Sequence, residues 1–197
     1  MSVRHLVLNK RVVAATAIPA AVIASGGMVW ASSYSAFSAT TASPTNNWTS
    51  GTVALSDDDS NTAMFNATNL KPGASGTKCI AVTSTGSLAS TVKLYGTSYS
   101  TTKDLSSNIN LKVEEGTGAT SASCAGFTGG STVYDGTMTA FGTGKTDFAS
   151  GVGTWAPTGG TSQTKSYKVT YTLSTATPDS AQGGAAALGF TWESQNS

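Results

Sequence analysis

The chemistry open to this 197-residue chain is limited first by histidine. Its one His, His5, lies with Arg4, Lys10 and Arg11 in a basic stretch ahead of an apolar run, Val12 to Ala24, broken only by Thr16 and Pro19. Ser25, Gly26 and Gly27 follow, then Val29-Trp30-Ala31, a small-x-small pattern. That order of residues reads as a secretory signal peptide over 1–31, cut between Ala31 and Ser32. The alternative is a retained membrane anchor, because Val12 to Ala31 spans 20 residues and is long enough to cross a bilayer. Once the leader is gone no imidazole remains. A Ser-His-Asp triad, a Cys-His pair and an H-E-x-x-H zinc site each require one, so all three are excluded from the exported chain.

Cys79 and Cys124 both fall in the exported part, where oxidation is permitted. An even count with no His to complete a metal set favours a disulfide, with two buried free thiols as the other reading. In the chain-entropy model, closing a loop of about 45 residues stabilises by ~4 kcal/mol.

The remaining candidate constellations each have a plain structural reading beside them. Asp57-Asp58-Asp59-Ser60 gathers three carboxylates that could hold Ca²⁺, a hard cation with oxygen ligands. Consecutive residues alternate direction, however, and the EF-hand spacing is missing, so a solvated turn is expected. Glu114-Glu115 would need a defined separation to act as a glycosidase pair, which sequence cannot supply. Gly144-Lys145-Thr146 resembles the end of a phosphate-binding loop, but Thr139 stands where the motif requires glycine. Trp48, Trp155 and Trp192 could form an aromatic sugar-binding platform. Trp192 alternates with Phe190 and reads as core, which leaves Trp155, in a glycine-rich stretch, as the candidate glycan contact.

The elements that must position these residues are strands. The chain carries 60 Ser plus Thr and 22 Gly, while charged residues are 11% against the ~25% usual in soluble domains. Removing Arg4, Lys10 and Arg11 from 11 cationic residues leaves eight Lys against ten acids, or minus two. No basic patch interleaves with aromatics, which argues against nucleic acid. Tyr167, Val169, Tyr171 and Leu173 alternate with Lys168, Thr170 and Thr172, the period of a half-buried strand. Ile109 to Val113, Val92 to Leu94 and Leu188 to Trp192 alternate likewise. Weaker candidates are Gly51 to Ser56, Thr62 to Thr68, Thr77 to Ser84 and Ser131 to Phe141. Lys71-Pro72-Gly73 and Gly129-Gly130 read as turns. A short helix near 100–107 is admitted, and Gly142 to Thr164 reads as a mobile connection or a functional loop. The expected fold is all-β: a β-sandwich of jelly-roll or immunoglobulin-like type with about eight strands.

The order of short motifs resembles one family. Gly26 to Ala31, Tyr34 to Phe37, Trp48 to Ser56, Asn69-Leu70-Lys71-Pro72-Gly73, Thr85 to Ala89 and Gly189-Phe190-Thr191-Trp192-Glu193 together resemble the TasA/camelysin family, secreted Gram-positive proteins with a SipW-type signal peptide. Residues 26–95 carry most of the likeness. The resemblance implies a jelly-roll sandwich and offers two functions: a biofilm-fibre subunit whose N-terminal segment pairs as a strand with the next subunit, and a surface metalloendopeptidase. Without histidine the second lacks the usual ligand set, and no enzyme activity and no cofactor are expected.

The resulting division is 1–31 signal peptide, 32–46 N-terminal arm and 47–197 sandwich domain. The arm is uncharged, with Tyr34, Ala36 and Phe37 near its start. It is either a frayed terminus or a donor strand for β-augmentation. The expected protein is secreted or held at the cell surface, and its partners are copies of itself, other matrix proteins or cell-wall glycans. Nucleic acid is not among them, and membrane enters only through an uncleaved signal. A monomeric envelope or carbohydrate-binding module is the alternative.

Overall fold

Period-two alternation of Val, Ile, Leu and Tyr with Thr, Ser and Lys makes strands that are apolar on one face, and two such faces close on each other. The computed structural model describes residues 51–60 and 62–196. It contains β1 (Leu55–Asp57), β2 (Ser75–Ser84), β3 (Ser90–Thr101), β4 (Ile109–Thr117), β5 (Thr128–Thr137), α1 (Met138–Gly144), β6 (Gln163–Leu173) and β7 (Ala186–Asn196), with 3₁₀ turns at Leu105–Asn108 and Asp179–Ala181. The strands form two antiparallel sheets, one ordered β1-β2-β6-β4-β5 and the other β3-β7. The fold is an all-β sandwich. Between the sheets lie Ile80 and Val82 of β2, Tyr167, Val169 and Leu173 of β6, and Ile109, Leu111 and Val113 of β4. They face Val92 and Leu94 of β3, with Phe141 entering from α1. Each such side chain contributes about 1.5–3 kcal/mol by leaving water.

The described residues hold seven strands, in keeping with the expected sandwich of about eight. Several sequence expectations shift. Residues 62–68 are not a strand; they run irregularly between β1 and β2. The stretch 131–141 divides into the end of β5 and a helix, because Thr137 Oγ1 accepts the Ala140 N–H at 3.1 Å and caps α1. Gly129-Gly130 lies inside β5 rather than in a turn. The region near 100–107 gives only the 3₁₀ turn, the rest being β3.

The largest correction concerns 142–164. After α1 the segment runs along the second edge of β3 instead of forming a mobile connection. Backbone N–H groups of Ser90, Val92, Leu94 and Gly96 donate to the carbonyls of Pro157, Trp155, Val152 and Lys145 at 2.7–3.0 Å. Trp155 and Pro157 turn inward and are buried, which ties the segment to the core. Glu115 reinforces this from β4. Its buried carboxylate accepts the Thr154 N–H at 3.1 Å and the Thr154 hydroxyl at 2.9 Å.

The outer face of β2 is covered by a different device. Cys79 is joined to Cys124, with Cα atoms 5.3 Å apart, so the chain between β4 and β5 crosses that face. Asp58 braces the crossing. Its carboxylate accepts the Ala81 N–H and the Ser121 N–H, both at 2.8 Å, and so links edge, strand and loop. The buried Ser166 hydroxyl donates to the Ala119 carbonyl at 2.7 Å and accepts the Ala119 N–H at 3.1 Å.

Candidate functional site

An inner strand of a sheet spends its backbone groups on two neighbours, whereas an edge strand leaves one set free. In β3 the even-numbered residues bond to the 145–157 segment, so the odd-numbered ones face β7. The register pairs Val92 with Ser194, Leu94 with Trp192 and Gly96 with Phe190. In an antiparallel pair the opposite residues share their hydrogen-bonding sense. Phe190, Trp192 and Ser194 therefore turn their N–H and C=O groups away from β3, toward an edge that no other strand of the described residues occupies.

The side chains of the same residues face the core but are only half-covered. Leu188, Phe190 and Trp192 form one wall of a groove of about 1250 Å³. Its floor is the inner face of the larger sheet, with Ile109, Leu111, Tyr171 and Leu173, and its far wall carries Met64, Phe65 and Leu70 from the β1–β2 connection. Ring contacts anchor the β7 wall: Trp192 lies 5.3 Å from Tyr167 and Phe190 lies 5.9 Å from Phe141, centroid to centroid. Among the described residues, the buried Trp192 Nε1–H makes no hydrogen bond. Burial raises the Tyr167 phenol well above its ordinary value, and the nearby Glu115 charge adds to the shift. On the opposite, outer face of the β3–β7 sheet, Tyr95 donates to Glu193 Oε2 at 2.8 Å, and this bond raises the Tyr95 phenol. Among the described residues, the groove thus offers an apolar floor beside a row of backbone groups with no strand partner, the two things an added extended segment needs.

The residues singled out by sequence fall elsewhere. Cys79 and Cys124 meet on the outer face of β2, away from the groove. Trp155 is 7% exposed and belongs to the core, so it cannot stack on a glycan while the segment stays packed. That corrects its reading as a glycan contact: the glycines around Trp155 suggest an exposed loop, whereas its backbone bond to Val92 of β3 holds it against the core. Trp192 is core-facing as expected. Glu114 and Glu115 point to opposite faces of β4. Glu114 meets Lys168 at 2.8 Å and Lys112 at 3.3 Å on the outer side, and the Lys168 bond holds its carboxyl below the usual value. Lys168 also lies 4.6 Å over the Phe127 ring. Asp58 is the brace described above. Gly144 ends α1, and the Lys145 carbonyl serves the β3 edge. Trp48, the cleavage residues Ala31 and Ser32, and the donor residues Tyr34, Ala36 and Phe37 lie outside the described residues. The groove itself was missed. Alternation announced Leu188, Phe190 and Trp192 as a strand, but nothing in that pattern told whether the strand had one neighbour or two.

A family model described as camelysin metallo-endopeptidase matches residues 8–114. The chain belongs to the camelysin family. A search of the curated proteins found no match. The camelysin match takes in β1 to most of β4, and it ends before β5, β6 and the β7 wall of the groove.

The family description implies a catalytic metal, and the donor set here does not fit one. The only histidine is His5. Among the described residues no three of His, Cys, Asp or Glu gather to hold an ion, the cysteines are joined to each other, and both adjacent glutamates are engaged as above. No step of peptide hydrolysis is derived from this chain. Among the described residues no helix is long and apolar enough to cross a membrane.

Proposed function

We propose that this camelysin-family chain is a secreted structural protein of the cell surface or biofilm matrix, a fibre subunit without enzyme activity. In this reading residues 32–46 of one copy, with Tyr34, Ala36 and Phe37 near their start, add as a strand to β7 of the next; by alternation Phe37 faces the groove while Tyr34 and Ala36 face outward. The observation that carries it is the edge of Phe190, Trp192 and Ser194, which no strand among the described residues pairs, beside an apolar groove. Backbone hydrogen bonds would give affinity and alternate side chains would fill pockets. The arm carries no charge, which suits an apolar floor. Donation from one copy to the next is a heterologous contact, and one that does not close makes a filament.

The test is deletion of 32–46 from the exported chain. The expected product is a folded monomer that shows no filaments by negative-stain microscopy while the parent chain forms them. Filaments of normal length from the deletion would refute the reading.

A further inference from the structure

The far wall of the groove is built unlike the rest of the domain. Residues 62–72 connect β1 to β2 without secondary structure, and only Met64, Phe65 and Leu70 are half-buried while their neighbours are exposed. Phe65 meets Tyr171, on the groove floor, edge-to-face at 5.1 Å and 87°. The hydrogen bonds lie at the two ends: Thr62 N–H to the Asp59 carbonyl at 3.0 Å, and Ala74 N–H to the Lys71 carbonyl at 2.8 Å. Among the described residues, none ties 63–70 to either sheet. The ends are also marked by left-handed backbone, at Ser60 (φ 55°), Asn69 (φ 54°) and Gly73 (φ 84°). Outside the ends the chain is fixed, by the Asp58 carboxylate on one side and by the Gly73 N–H to the Leu173 carbonyl at 2.8 Å on the other.

We infer that residues 62–72 are a resident plug, which fills part of the groove with three apolar side chains and is displaced when the donor strand of a second copy arrives. This rests on the fibre reading of the groove. The plug and a donor strand differ in kind. The plug covers apolar floor but satisfies none of the β7 edge, whereas a strand does both, so the exchange runs toward the strand once its concentration suffices. Asp58 and β2 hold the two roots of the segment, and among the described residues no backbone bond to a sheet has to break for 63–70 to move. Assembly then has a built-in threshold, and the isolated subunit keeps Tyr171 covered.

The test uses the full exported chain. Because the native cysteines are joined and no other is free among the described residues, Met64→Cys introduces a single reactive thiol. Its labelling rate is followed beside the sedimentable fraction as protein concentration rises. The expected result is slow labelling of the subunit and faster labelling in proportion to filament formed. In parallel, Phe65→Ala removes the edge-to-face pair and shortens the lag by about two- to tenfold, the change that losing one such pair allows. Filaments whose thiol labels as slowly as the subunit's would overturn the plug and leave the fibre reading standing. Absence of filaments from the parent chain at every concentration would overturn the fibre reading and the plug with it. The labelling result decides whether or not Phe65→Ala folds.

Discussion

Ser194→Pro separates the edge of β7 from everything else in the domain. The register turns the Ser194 N–H away from β3, so proline removes a donor that bonds to no backbone group among the described residues, and its ring stands where an added strand would approach. Edge strands tolerate proline when the lost N–H faces outward, and Glu193 before it is already extended. The cost to the subunit is then confined to the 2.8 Å bond between the Ser194 and Ser90 hydroxyls, about 1 kcal/mol. In a filament the loss is larger. One backbone bond worth about 1 kcal/mol disappears, and the donor carbonyl that would have accepted it is buried unpaired at about 1–3 kcal/mol. Together about 2–4 kcal/mol corresponds to a critical concentration raised roughly 30- to 900-fold. The assay is sedimentation across graded concentrations, with thermal melts to show that the subunit is folded. Ser194→Ala is the control: it loses the same hydroxyl, keeps the N–H and assembles like the parent. The reasoning is refuted if Ser194→Pro, folded, assembles at the critical concentration of Ser194→Ala.

Three further outcomes follow from the same structure. Replacing both Cys79 and Cys124 with Ala frees a 45-residue separation in the unfolded chain, so stability in guanidinium titrations falls by ~4 kcal/mol and the m-value rises; a change below ~1 kcal/mol would contradict the bridge as a major contributor. Tyr167 has its phenol raised by burial, so the native state keeps it neutral and its contribution is complete below the ordinary tyrosine value near ~10. Stability is lost as pH rises above that, and spectrophotometric titration should show Tyr167 ionising only as the fold opens; its titration with the exposed phenols would be inconsistent. Glu114 is the opposite case. Its lowered carboxyl stabilises above the unfolded value near ~4.3 and loses that contribution as pH falls through the folded value, so Lys168→Ala should cost under ~1 kcal/mol at neutral pH and nothing once the carboxyl is protonated. A cost that persists in acid would point to lost packing on Phe127 instead.

What the sequence made legible was whatever depends on neighbours two residues away. The faces of β4 and β6 could be read directly from Ile109, Leu111 and Val113 and from Tyr167 to Leu173, because one buried face forces period two. Features set by residues far apart were not. Trp155 looked like a loop residue until its carbonyl was seen to accept the Val92 N–H at 2.9 Å, a pairing across more than sixty positions. The cap that turns 138–144 into a helix is a single Thr137 hydroxyl, too local to show as a period within a run that otherwise reads as strand. The open edge of β7 depends on what the 145–157 segment does to β3. Composition did set the frame. A chain with few charges and many hydroxyls, and with Thr, Val and Tyr frequent, pointed toward sheets before any strand was placed.

The most direct test of the central claim is a cross-link from position 37. A photoreactive phenylalanine replaces Phe37 in the exported chain, isotopically heavy and light copies are mixed before assembly, and cross-linked peptides are identified by mass spectrometry. Strand donation predicts heavy-to-light cross-links from position 37 to the β7 wall or the groove floor. Cross-links confined to one copy, or joining position 37 to another strand edge, would contradict it.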